Sequence, residues 1–140
     1  FGVIDDITDR REQQDALRRS EERARLTLAE LQAVYDTAAV GLCVLDREMR
    51  WVRINHYLAQ MNGLPAKEHI GRQMRELLPV AADQVEGYVR TVLETGEPVL
   101  DVLVTGEIAA GEKGRIWRAS YVPIRGTGGA VRAVNVTAEE

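Results

Sequence analysis

Two histidines, one cysteine and a glycine run are the residues of this 140-residue chain whose chemistry reaches beyond packing. His56 and His69 have no third ligand at metal-binding spacing, so both read as solvated surface histidines and no metal site is expected. Cys43 is the single cysteine; it cannot close an internal disulfide, which suits a reducing compartment. Its place between Leu42 and Val44 in an apolar run makes it a small core hydrophobe. Gly126-Thr127-Gly128-Gly129 has the look of a phosphate loop, but no following helix carries the Lys-Ser/Thr pair such a loop needs. It reads as a hairpin turn. No Ser/His/Asp or Cys/His set converges, and no paired carboxylates recur on one helical face, so no catalytic residue is expected.

Composition narrows the remaining functions. With 45% hydrophobic residues the chain can build one core, and its length fits a single ordinary domain. A net charge of −4 gives no positive field for phosphates, so nucleic acid is not an expected partner. The longest apolar stretch, Ala38 to Leu45, is too short to cross a bilayer, and nothing at Phe1-Gly2-Val3 resembles a signal peptide. The chain therefore reads as an internal piece of a longer cytoplasmic protein.

The elements that would position any site follow from patterning. From Asp9 to Arg25, 11 of 17 residues are charged and Gly and Pro are absent. Asp9 and Glu12 stand at capping-box spacing, which predicts a helix over 9–37. Leu17, Ala24, Leu28, Leu31 and Tyr35 form a heptad stripe along it. The stripe fits either a helix lying on its own domain or a parallel two-chain coiled coil; its thinness and charged flanks favour the coiled coil, hence a homodimer. Residues 1–8 read as a strand, because Asp6-Ile7-Thr8 echoes Asn135-Val136-Thr137 near the other end. The simplest account makes 1–8 the last strand of a preceding module, 9–37 a connecting helix and 38–140 a domain.

Within that domain, Gly41–Leu45 and Arg50–Ile54 read as strands, and Asn55 as the structural N-cap of a short helix ending at Asn62-Gly63. A longer helix is predicted over Ala81–Glu94. Three strands follow, Val99–Ile108, Arg115–Ile124 and Ala130–Thr137, the first two joined by Ala110-Gly111-Glu112-Lys113-Gly114. The fold class is α+β: a five-stranded antiparallel sheet with short helices on one face, preceded by a long N-terminal helix. Alternation turns Cys43 and Leu45, Val52 and Ile54, Leu100, Val102 and Val104, Trp117, Ala119 and Tyr121, and Val131 and Ala133 toward the helices. Tyr88 and Val92 point back from the long helix, and Met61 and Leu77 close one end. These positions enclose either a filled core or a pocket in which the polar tips of Trp117 and Tyr121 orient a small ligand.

Several short motifs together resemble the PAS (sensory-box) domains of bacterial signalling proteins. They are Gly41-Leu42-x-Val44-Leu45-Asp46, Val52-x-Ile54-Asn55, Asn62 through Arg72, Leu77-Leu78-Pro79, Trp117-x-x-Ser120-x-x-Pro123-Ile124 and Asn135-Val136-Thr137. The resemblance runs from about Leu31 to Thr137, and Asp6-Ile7-Thr8-Asp9-Arg10-Arg11 looks like the family's exit into a signalling helix. It implies a PAS fold and a non-catalytic regulatory module, with a PAS-like module upstream and an effector downstream, most often a histidine kinase of a two-component system. Flavin-binding relatives carry a Cys within Asn-x-x-Cys-Arg-Phe; His56–Arg75 has none, so flavin is not expected. Haem-binding relatives carry a His on the long helix; Ala81–Glu94 has none, so haem is not expected either. No cofactor is implied beyond a small organic ligand.

Overall fold

The computed structural model describes residues 2–106 and 114–140, with side chains from residue 8 onward. Phe1 and most of the predicted 110–114 connection lie outside the described residues. The chain divides into two units, Phe1–Tyr35 and Asp36–Glu140.

The first unit is built from one helix, α1 (Gly2–Thr37). Good helix formers and the absence of Gly and Pro after residue 8 carry it through the charged run. Residues 2–8 are helical too, which corrects the expected strand. A strand needs a neighbour to pair its amides, whereas a helix bonds its backbone to itself. Leu17, Leu28 and Leu31 are 60%, 51% and 61% exposed, and Ala24 is exposed with them.

The second unit begins with β1 (Gly41–Asp46), β2 (Trp51–Ile54) and α2 (His56–Asn62). A single 3-10 turn (Ala66–Glu68), α3 (Met74–Leu77) and α4 (Pro79–Thr95) lead to β3 (Val99–Gly106), β4 (Arg115–Arg125) and β5 (Val131–Glu139). The strands form one antiparallel sheet in the order β2-β1-β5-β4-β3, so the last strand lies in the middle. This is the expected α+β architecture with a long helix before it. Gly63 and Gly96 end α2 and α4 in the left-handed region, where a side chain is strained.

Helices cover one sheet face, and the core lies between. Cross-strand partners share a face, so three inward rows can be followed across the sheet. Ile54, Cys43, Val136 and Tyr121 make one; Gly41, Ala138 and Ala119 the next; Val104 and Trp117 the third. Ala133 is corrected by this register. It pairs with Asp46 and Ile124 on the opposite face, while Val134, Val136 and Ala138 face the core. Both Ala133 and Val134 are buried, so burial alternation gave no guide to the parity of β5. Leu100, expected inward, is 60% exposed, because β3 is irregular between Val99 and Val102 and Asp101 takes a positive φ. Val52 is likewise exposed, displaced by the irregularity where Leu45 pairs with Trp51.

Candidate functional site

Asn55 ties the first helix to the sheet. Its Oδ1 accepts from the Leu58 and Leu42 amides, both at 3.0 Å, and its Nδ2 donates to the Val40 carbonyl at 2.8 Å. The side chain is therefore a helix N-cap and a clamp on the start of β1. Gly41 lets the two elements meet, since a Cβ there would lie 2.9 Å from Leu58 Cδ1 and 3.1 Å from the Ala138 carbonyl oxygen. Beyond β2, the Trp51 backbone bonds to Arg72 O and from Gly71 N, which holds the irregular segment against the sheet edge.

Between sheet and helices lies a cavity of about 60 Å³. Its floor is the small pair Ala119 and Ala138, bracketed by Tyr121, Val136 and Cys43 on one side and by Trp117 and Val104 on the other. Leu45 and Trp51 form a wall, and Leu58, Asn62, Met74, Leu78, Ala81 and Val85 the roof. Two alanines opposite each other lower the floor, and larger neighbours prevent collapse. Among the described residues no charged side chain lines it.

Of the sequence-predicted pocket residues, the cavity gathers Cys43, Leu45, Trp117 and Tyr121. Ile54 and Val92 sit in the surrounding core, while Met61, Leu77, Tyr88 and Val102 are half-buried and pack against it. Ala133 lies on the other face. Sequence reading missed Trp51, Leu58, Asn62, Met74 and Leu78. Asn62 in particular carried a signal, being a polar residue on the apolar side of a short helix.

The polar groups of the cavity are few. Trp117 Nε1 and the Tyr121 hydroxyl are buried with no hydrogen-bond partner among the described residues. Tyr121 stacks at a tilt on Tyr88, ring centroids 5.3 Å apart. Burial, then the neighbouring Cys43 and Tyr88, raise the Tyr121 hydroxyl above its ordinary pKa. Burial pushes the Cys43 thiol up to about 12, opposed by a hydrogen bond from the Trp51 side chain. That thiol is protonated and inert near neutrality.

His69 corrects the surface-histidine expectation, whereas His56 is exposed. The 3-10 turn swings the His69 ring inward, edge-on to Trp51 at 4.9 Å between centroids. Nδ1 lies 3.0 Å from the Pro65 carbonyl, which can only accept, so Nδ1 carries the proton. Nε2 then accepts from Asn62 Nδ2 at 3.2 Å. Burial lowers the His69 pKa, while hydrogen bonds to the Pro65 and Ala66 backbone oppose the shift. Both ring nitrogens are engaged, so this imidazole offers no lone pair to a metal or haem iron. Among the described residues no group of three or more His, Cys, Asp or Glu side chains is placed to hold a metal ion, and no helix is long and apolar enough to cross a membrane.

Comparison with known proteins places this geometry among its relatives. Residues 35–140 match the family model described as the PAS fold. The PAS domain of a Colwellia psychrerythraea protein superposes with a TM-score of 0.70 at 16% identity, covering 81% of this chain and 96% of that one. The PAS domain of an HTR-like protein from Haloarcula marismortui gives a TM-score of 0.65 at 16% identity, covering 87% and 98%. The VqmA dimer of Vibrio cholerae, a LuxR-type receptor with a target DNA, gives 0.68 at 21%, covering 79% and 50%. The chain thus spans about half of VqmA. A search of curated protein sequences gave no match.

Proposed function

The chain belongs to the PAS family, and from that premise we propose that it is a non-catalytic sensory module that binds a small molecule between sheet and helices and passes the change to an effector domain. Domains of this family are sensory and signalling modules, which sets the class of function. The observation that carries the ligand is the cavity over Ala119 and Ala138, lined by two side chains whose polar atoms have no partner among the described residues. Neither flavin nor haem is part of the proposal. The cavity falls well below the volume of about 300–1,000 Å³ usual for drug-sized ligands, Cys43 is an inert thiol, and His69 is fully engaged.

Transmission runs through β5. It supplies Val136 and Ala138 to the cavity and lies between β1 and β4, so a ligand on the floor bears on the strand nearest the chain's end. Arg115 pairs through Nε and Nη2 with the Glu140 carboxylate and ties that end to β4. A ligand shifts such a module only by its unequal affinity for two arrangements of the sheet. In the parent protein the effector is proposed to be a histidine kinase in the cytoplasm, on the strength of the family resemblance.

A second reading, a ligand-free relay, is favoured by the exposed leucines of α1. There α1 pairs with its counterpart in a second copy and carries motion in from an upstream PAS-like module. Thermal unfolding against a metabolite library separates the two readings. A ligand that binds the folded state raises the midpoint with concentration. A flat response across a broad library would leave the relay.

A further inference from the structure

Resting on the ligand-binding reading above, we propose that the cavity selects a neutral, compact molecule that presents a hydrogen-bond acceptor to the indole N–H of Trp117. A buried donor without a partner costs roughly 1–3 kcal/mol, so the folded protein gains by receiving an acceptor there. Trp117 Nε1 is such a donor among the described residues and has only that role, since an indole nitrogen does not accept. The Tyr121 hydroxyl, unpartnered across the two-alanine floor, donates or accepts and so does not restrict the ligand further.

Charge is excluded by the same walls. No charged side chain lines the cavity among the described residues, so an anion or a cation entering it would lose its hydration without a counter-charge. The two ionisable groups present respond as that environment requires: burial holds both the Cys43 thiol and the Tyr121 hydroxyl in their neutral forms. Size sets the remaining limit. The cavity exceeds the room one water needs and lies below the roughly 150 Å³ of an apolar cavity that takes benzene, so the ligand is a small ketone, ether or amide.

Three probes with equal numbers of non-hydrogen atoms test this: 2-butanone, its alkene isostere 2-methyl-1-butene, and propionate. The readout is the indole N–H resonances of protein labelled with 15N-tryptophan. The chain has two tryptophans, and Trp51, which also walls the cavity, reports binding in the Trp117→Phe variant. The expected result is that butanone moves the Trp117 resonance downfield in a saturable way, while propionate binds at least about ten-fold more weakly. Trp117→Phe, which keeps an aromatic wall, is expected to weaken butanone about five-fold and leave the alkene within about two-fold. Tyr121→Phe is the second variant and preserves the Trp117 shift. Propionate binding as well as butanone, or Trp117→Phe weakening ketone and alkene equally, overturns the acceptor rule while ligand binding itself stands. Silence from all three probes at millimolar concentration overturns both, with water left as the indole's acceptor.

Discussion

Asn55 joins three backbone groups of the sheet unit through one buried side chain. Replacing it with alanine strips the cap from α2 and leaves the Leu42 amide and Val40 carbonyl without their partner. A lost cap costs about 1 kcal/mol and a stranded buried group about 1–3. Asn55→Ala is therefore expected to lower stability by about 3 kcal/mol, read as a reduced urea midpoint at unchanged slope. His69 gives a pH-dependent counterpart. Its pKa in the folded state lies below the ordinary value near 6.5, so the native protein binds fewer protons than the unfolded chain. Its contribution is complete above that ordinary value and is lost as pH falls below it. Wild type should lose more stability between pH 7.5 and 5.5 than His69→Gln does; equal losses would remove the histidine from the account. The two residues also differ in legibility. Asn55 announces itself by standing at the junction of a strand and a helix. The burial of His69 depends on Trp51, eighteen positions earlier, a contact that no local pattern marks.

At the scale of elements, composition and caps place the helices and strands, apart from the start of α1 at Gly2, and the errors within the sheet come from register. A strand's period of two tells which residues share a face only while pairing is regular. The irregularities at Leu45 and between Val99 and Val102 break that rule, and Leu100 and Val52 turn outward there. Ala133 was misplaced for a different reason: Val131, Ala133 and Val134 are all buried, so sequence polarity did not show which face met the helices. Residues 2–8 are helix where a strand is expected, because a strand needs a partner and a helix bonds its own backbone. The close packing of α2 on β1 carries its own prediction. Gly41→Val would drive side-chain carbon into Leu58 and the Ala138 carbonyl, and the backbone oxygen has little room to give. The expected cost is about 2 kcal/mol or more, seen as a lower thermal midpoint. For α1 the test is association. Leu28→Asn with Leu31→Asn should turn a dimer into a monomer on a sizing column, because two polar residues on the stripe remove its apolar seam.

At the scale of the whole molecule, the two units differ in what holds them. Every residue of the buried core cluster lies between Cys43 and Ala138, inside the unit that starts at Asp36. The helix α1 has a backbone that is internally bonded but leaves its leucines exposed, so its order draws on helix propensity rather than on a core of its own. A chain starting at Asp36 should then keep the cooperative thermal transition of the full protein within a few degrees, with its near-ultraviolet tryptophan signals intact. Both tryptophans, Trp51 and Trp117, report on the retained cavity wall. The same truncation should abolish dimerisation if the α1 stripe supplies it. A shortened chain that unfolds without a cooperative transition would mean that α1 supplies packing the core cannot do without. Retained dimers would instead point to the outer sheet face, where Leu103, Ile116 and Val122 are exposed. In that case the relay would pass between copies through the same β4 that carries Trp117 and Tyr121, and ligand binding would respond directly to dimer concentration.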